Sequence, residues 1–265
     1  MTDAATKRLL VCADDYAYTQ QTSAAIISLI EEGAINATSC VVESQTWASD
    51  GEVLRQTAAS RPHVAVGLHL NLTERIGSQQ AIFSQARLAF DRSETLINQI
   101  YERFSAQWAL FVSVIGFQPH FIDGHQHAHL PFASRVALFR LIEAVGFRGW
   151  VRQCRTSSQR FSAKRIVLDP LTDAFRAHAQ RHLVQLNPGF GGLRRFALNE
   201  DVIAQWIEDL TAMRGGGVLM VHAGAEAPGD PIGHCRRQEA AALPWVTEKV
   251  DQHGFSMQFD AQAPW

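Results

Sequence analysis

Short continuous apolar runs alternate along the chain with longer stretches in which apolar residues recur at three- and four-residue steps. Runs of the first kind suit strands buried on both faces of a parallel sheet, and stretches of the second kind suit amphipathic helices. The pattern predicts strands at Arg8–Ala13, Ala37–Val42, Val64–Leu70, His120–Asp123, Trp150–Arg152, Leu183–Leu186, Val218–Val221 and Phe255–Phe259. Ile26, Ile27 and Ile30 share one helical face, and Gly33 stops that helix. Ser93 opens the clearest helix, in which Leu96, Ile97, Ile100, Phe104, Trp108, Phe111 and Ile115 form one stripe up to Gly116. Asp169 stands before Pro170 as a cap stands before a first helical residue, and Asn199 opens a further helix ending near Gly215. No linker, repeat or low-complexity stretch interrupts the chain, so residues 1–265 read as one domain. Seven or eight strand–helix units predict an α/β fold, a single-domain (β/α) barrel, closed or deformed; a doubly wound open sheet is the alternative.

In such barrels the chemistry gathers at the C-terminal ends of the strands. The first predicted strand runs into Asp14-Asp15, the third ends at His69, and the fourth leads into Asp123-Gly124-His125-Gln126-His127-Ala128-His129. The fifth ends in Arg152, and His222 follows the seventh. A single polar strand end is ordinary capping, but five that bind metal or move protons point to one site. His120, His125, His127 and His129 crowd into one segment, and residues two apart in an extended chain face the same side, so His125 and His127 could share a metal. Asp15, His69 and one of His125 or His127 would make a two-histidine, one-carboxylate set with positions left for water and substrate. On ligand chemistry alone, two imidazoles favour zinc, manganese or iron over magnesium. His178 and His182 also share a helix face, but Ala179 follows His178, so the HExxH zinc pattern is absent and the pair reads as polar surface.

Hydrophobic residues make up 46% and charged residues 19% of the 265, enough apolar material for a large core and too much for a disordered chain. With 24 basic against 26 acidic residues the net charge is −2, so no basic excess suggests nucleic-acid binding. No apolar run reaches the roughly 20 residues of a membrane span. Cys12, Cys40, Cys154 and Cys235 form no CxxC pair, and Cys12 and Cys40 sit in apolar runs where a buried thiol is the ordinary reading. Residues 1–8 carry no apolar leader stretch, and with reduced thiols they suggest a cytoplasmic address. A homo-oligomer is left open, since one chain carries no symmetry information.

The segments Ala13-Asp14-Asp15-Tyr16, Gly67–Thr73 (GLHLNLT) and Asp123–His129 (DGHQHAH), with Val221-His222-Ala223-Gly224, resemble the YdjC-like carbohydrate deacetylases. That family includes chitooligosaccharide and hopanoid-associated deacetylases, and its pattern runs ADDF/Y, GLHLNLT, DGHQHxH and HPG in this order. The resemblance implies a deformed (β/α) barrel and removal of the N-acetyl group from an acetamido sugar with one divalent metal ion. It implies magnesium, whereas the ligand chemistry suits zinc. It assigns Asp15, His69 and His125 as metal ligands, in preference to His127, and Asp14 as general base. His222 is then the candidate acid for the leaving amine. Arg152 would pair with Asp14 or bind substrate, Asp123 would orient a ligating imidazole, and His127 would line the site. Ala17, Ser23, Glu43 and Ala223 stand where the family more often has Gly, Asn, Asn and Pro. Glu43 and Trp47 follow the second strand and are expected at the mouth, with Trp47 available to stack on a sugar. The rival readings are hydrolysis of another amide or a lactam, and a metal-dependent sugar binder without turnover.

Overall fold

The structure, a computed structural model, describes residues 7–76, 78, 80–160, 162–197 and 200–265. Its elements run β1 (Lys7–Tyr16), α1 (Gln20–Glu31), β2 (Ala37–Cys40), α2 (Trp47–Ser60), β3 (Ala65–Leu70), β4 (Glu74–Arg75), β5 (Gln80–Ala81), α3 (Gln85–Phe90) and α4 (Glu94–Ile115). They continue as β6 (Phe121–Gly124), α5 (Phe132–Val145), β7 (Trp150–Val151), α6 (Ala163–Arg181), β8 (Gln185–Leu186), β9 (Phe190–Gly191), α7 (Val202–Ala212), β10 (Gly217–Val221), α8 (Gly233–Val250) and β11 (Phe255–Ser256).

Apart from the small β4–β5 hairpin, the strands pair in parallel in the order β8-β7-β6-β3-β2-β1-β10-β9, with β11 beside the start of β1. From β1 to β8 the strands of this sheet are neighbours in chain order, β9 pairs with β10, and β10 returns to β1. A doubly wound sheet would reverse direction partway. This order instead belongs to a barrel that is open between β8 and β9 among the described residues. The predicted deformed (β/α) barrel is therefore the fold, curled as a half-barrel.

The packing shows why these sequences make these elements. Every residue of β3 and β10 is buried. A Cβ on Gly67 would come within 2.4 Å of the Phe121 ring, so β3 approaches β6 this closely only with glycine there. Phe121 in turn stacks on Trp150 with centroids 4.5 Å apart. The α4 stripe faces the barrel as its periodicity predicts; the Ser93 hydroxyl accepts from the Leu96 N–H, and Gly116 closes the helix at φ 86°.

Two helix starts differ from expectation. Pro170 lies inside α6, seven residues past its first position, and does not begin the helix. The carbonyl that loses its partner there belongs to Ile166, which is 65% exposed, so water can replace the missing N–H. Asn199 lies outside the described residues; α7 begins at Val202 with the Asp201 carboxylate accepting from Ala204. All four cysteines are free and buried, and no helix among the described residues is long and apolar enough to cross a membrane.

His120 ties β3 to the start of β6: its Nδ1 accepts from the Val66 N–H at 2.9 Å. Burial lowers its pKa from 6.5 to about 4. Folding therefore favours the neutral ring, and that contribution, present above pH 6.5, is lost as the pH falls towards 4. Its size is about 3 kcal/mol. Urea unfolding of His120→Asn, which keeps an acceptor but cannot titrate, should show a shallower loss of stability between pH 6.5 and 4 than the parent. Identical slopes would place the acid sensitivity elsewhere.

Candidate active site

The site begins with a defect in β1. Cys12 and Ala13 pair with Ala37 and Thr38, but the next pair is Tyr16 with Cys40, so β1 carries one extra residue. Asp15 takes φ 69° at this bulge, and Ala17 takes φ 67° just beyond it. Adjacent residues of a regular strand point to opposite faces, so Asp14 and Asp15 would diverge. The bulge cancels that alternation, and both line the same cavity. The register shift lies inside β1, between Ala13 and Tyr16. The left-handed backbone at Ala17 is one that suits a residue without Cβ.

Asp14 lies in the grip of Arg152, whose Nη1 and Nη2 donate to its two oxygens at 2.6 and 2.7 Å. The same Nη2 reaches Asp123 Oδ2 at 2.7 Å, and Asp123 Oδ1 accepts from His69 Nδ1 at 2.6 Å. Arg152, Asp14, Asp123 and His69 are all buried. Burial alone would raise the Asp14 pKa, but the Arg152 guanidinium outweighs it and holds the carboxyl well below the usual range.

With its Nδ1–H given to Asp123, His69 turns Nε2 towards Asp15 Oδ1 at 3.3 Å, and His125 Nδ1 lies 3.0 Å from the same oxygen. The ligand atoms of Asp15, His69 and His125 all fall within 4.8 Å of one another. Donors bound to one ion at about 2.1 Å lie roughly 3.0–3.4 Å apart, which is the spacing observed for both Asp15–His contacts. Cys12, Asp14 and Asp123 also converge, but Arg152 contacts all three and fills that cluster with its own charge.

Burial opposes charge on His69, yet Asp123, Asp15 and Asp14 outweigh it and raise its pKa to about 10. Burial would raise Asp15 as well, but Arg236 and His125 hold it well below the usual range. Arg236 joins Asp15 Oδ2 at 2.9 Å to Asp230. Glu74 Oε1 sits 3.2 Å from His125 Nε2 and accepts from the Tyr18 hydroxyl at 2.9 Å.

These groups line a cavity of about 520 Å³, with His222 among its walls. Burial lowers the His222 pKa, and its Nδ1 finds no hydrogen-bond partner among the described residues. His127 reaches the cavity too, but not beside His125. Residues His125–His127 form a 3-10 turn with Gln126 at φ 50° and His127 at φ 58°, and His127 Nδ1 lies 3.4 Å from Cys154 Sγ. The extended geometry that would let His125 and His127 share an ion is therefore absent.

Glu43 and Trp47 do not line this cavity. Trp47 begins α2, is 3% exposed, donates Nε1–H to the Leu110 carbonyl and stacks on Phe111, so helix packing has taken the ring. Glu43 is engaged by Arg103 and Asn71. His178 and His182 stack at 4.7 Å against Phe139, away from the cavity.

A profile for YdjC-like proteins matches residues 8–250. The chain belongs to the YdjC-like family. A carbohydrate deacetylase from Homo sapiens is 29% identical over 157 residues, 53% of this chain and 47% of that protein. A chitooligosaccharide deacetylase from Klebsiella pneumoniae strain 342 is 25% identical over 175 residues, 59% of this chain and 68% of that protein. The match thus spans about half the length of the human relative. A solved protein from Enterococcus faecalis V583, described as a candidate for cellobiose-phosphate cleavage, shares the fold with a TM-score of 0.68. It is 19% identical and covers 97% of this chain and 98% of its own.

Within this YdjC-like site, Tyr18, Glu74, Asp230 and Arg236 escaped sequence reasoning. Glu74 and Tyr18 each lie just beyond a motif, which is the one signal that could have found them. Arg236 comes from α8 with no local pattern. Removing the central guanidinium gives a direct test. Arg152→Met should destabilise the protein by about 3–5 kcal/mol, because Asp14 would stay buried without its cation and Asp123 would keep only His69 as a partner. Denaturant unfolding at pH 7 measures this, and a loss below 1 kcal/mol would show that the network is not a structural anchor.

Proposed function

We propose that this chain is a divalent-metal-dependent hydrolase that removes the acetyl group from an acetamido sugar. The convergence of Asp15, His69 and His125 beside an arginine-held Asp14 carries this reading. The names of the human and Klebsiella relatives supply the substrate class.

The residues fit a cation. Four carboxylates, Asp14, Asp15, Asp123 and Asp230, face two guanidiniums, Arg152 and Arg236, which leaves negative charge uncompensated beside two imidazoles. His69 and His125 both approach one oxygen of Asp15, an arrangement that holds together only with a proton or a cation between them. Asp15, His69 and His125 would hold the ion; when bound, it supplies Lewis-acid polarisation of the amide carbonyl and lowers the pKa of water.

The remaining work falls to the chain's own groups. Asp123 engages Nδ1 of His69, so Nε2 is the ring nitrogen left to face the cation. Arg152 holds Asp14 in one orientation, where its carboxylate takes the proton of the attacking water. His222 delivers a proton to the departing amine nitrogen. Because burial favours its neutral form, His222 must acquire that proton during turnover. A second reading follows: His222 takes the proton from water and passes it to the amine, while the two Arg152 bonds keep Asp14 a weak base whose charge is the useful part.

Asp14→Asn separates the two. The first reading expects metal retained and kcat lowered at least about a hundredfold, the usual worth of acid–base help. Metal retained with kcat within tenfold of the parent moves the base to His222. Asp15→Asn and His69→Ala should instead lose metal by elemental analysis, whereas His178→Ala with His182→Ala should lose none. Full metal occupancy in His69→Ala would discard this ligand set. His222→Ala should lower kcat roughly 10²- to 10⁴-fold on an acetamide and less on an aryl ester whose leaving group needs no proton. An equal loss on both substrates would remove His222 from the acid role.

A further inference from the structure

The two histidines beside Asp15 present opposite ring nitrogens to it. His69 gives Nδ1 to Asp123 and turns Nε2 towards Asp15 Oδ1, whereas His125 brings Nδ1 to that same oxygen at 3.0 Å. The nitrogen of His125 that points away, Nε2, lies 3.2 Å from Glu74 Oε1. The two nitrogens of one imidazole direct their lone pairs or hydrogens well apart, so a carboxylate on Nε2 does not share an ion with Nδ1. Glu74 accordingly stands outside the group formed by Asp15, His69 and His125.

Glu74 is itself held from two sides. Asn71 Oδ1 accepts from the Thr73 and Glu74 N–H groups at 3.2 and 3.4 Å, and Asn71 Nδ2 donates to the Glu74 carbonyl at 2.6 Å. Gln107 of α4 clamps Asn71 in turn, accepting from its N–H and donating to its carbonyl, both at 2.8 Å. Asn71 and Gln107 are buried. The segment that carries His69 into the site therefore turns at Asn71 and sends Glu74 back to the second histidine. From β1 and the turn after it, the Tyr18 hydroxyl donates to Glu74 Oε1 at 2.9 Å, and the Tyr18 ring stacks on His125 with centroids 6.1 Å apart. A carboxylate oxygen accepts two hydrogen bonds. With the Tyr18 O–H in one position, the other is left for an N–H of His125.

We propose that Glu74 is a positioning residue that selects which nitrogen of His125 ligates a cation. An ionised carboxylate can only accept, so it favours hydrogen on Nε2 and leaves Nδ1 as the ligating nitrogen, since a neutral imidazole donates through one nitrogen and accepts through the other. His125 then binds through Nδ1 and His69 through Nε2, each ring backed by its own carboxylate. The inference rests on the reading of Asp15, His69 and His125 as a metal site, and its test needs no turnover.

Zinc is the probe, added to the stripped full chain, with its affinity measured by competition against a chelator. Glu74→Ala should weaken zinc binding about 10- to 100-fold, the usual worth of a partner behind a ligating imidazole. Glu74→Gln loses the negative charge but keeps an acceptor oxygen, and should recover most of that loss. Magnetic resonance of isotope-labelled histidine in the zinc-loaded parent should show the hydrogen of His125 on Nε2 and that of His69 on Nδ1. Equal zinc affinity in the parent and Glu74→Ala, equal losses in the Ala and Gln variants, or hydrogen on Nδ1 of His125 would overturn the assignment. A parent chain that takes up no zinc would discard the metal site itself, and the assignment with it.

Discussion

The site depends on a single buried guanidinium. Arg152 leaves the end of β7 and spans the barrel to Asp14 on β1 and Asp123 on β6, with all three side chains removed from water. Burying such charges costs several kcal/mol for each ion, and only close, multiple hydrogen bonds repay it. Because the two carboxylates sit on different strands, their geometry is fixed by the barrel and cannot relax residue by residue. Asp123 then transmits this order to His69, and His69 with His125 frames Asp15. Each link sets the orientation of the next.

The same chain of contacts sets the electrostatics. Arg152 spends its charge on Asp14 and Asp123, and Arg236 spends its charge on Asp15 and Asp230, so carboxylates outnumber the cations around them. His69 responds by holding a proton to about pH 10, which is the charge a bound cation would replace. Burial acts on His222 in the opposite sense and favours its neutral form, and its Nδ1 has no hydrogen-bond partner among the described residues. One cavity thus has the Asp15, His69 and His125 cluster and the His222 imidazole among its walls.

Much of this was legible in the sequence because barrel strands deliver their last residues to one rim. Asp14, Asp15, His69, Asp123, His125, Arg152 and His222 could be placed together from strand ends alone. The features that escaped are those set by tertiary packing. The bulge that turns Asp14 and Asp15 to one side leaves no signature in ADDY beyond the paired aspartates. Trp47 looked like a mouth residue by its distance from β2, but α4 offered it Phe111 and the Leu110 carbonyl. Pro170 looked like a helix start, yet a solvent-facing turn of α6 tolerates it. Arg236 and Asp230 arrive from α8 and the loop before it, where no periodicity marks a functional side chain. The two-residue strand β9 is too short to show a pattern.

The central claim, that the Asp15, His69 and His125 cluster makes this chain a metal-dependent acetamide hydrolase, is tested most directly by removing and returning the metal. Acetate release from N,N′-diacetylchitobiose and from an alkyl N-acetylglucosaminide would be followed in the purified protein, after chelation to below one-hundredth of an equivalent of metal, and after adding back one equivalent of zinc, manganese or magnesium. Activity should vanish on chelation and return with one of the three ions at a one-to-one ratio. Undiminished acetate release from the stripped protein would contradict the claim, as would no release from any acetamido sugar with the site fully loaded.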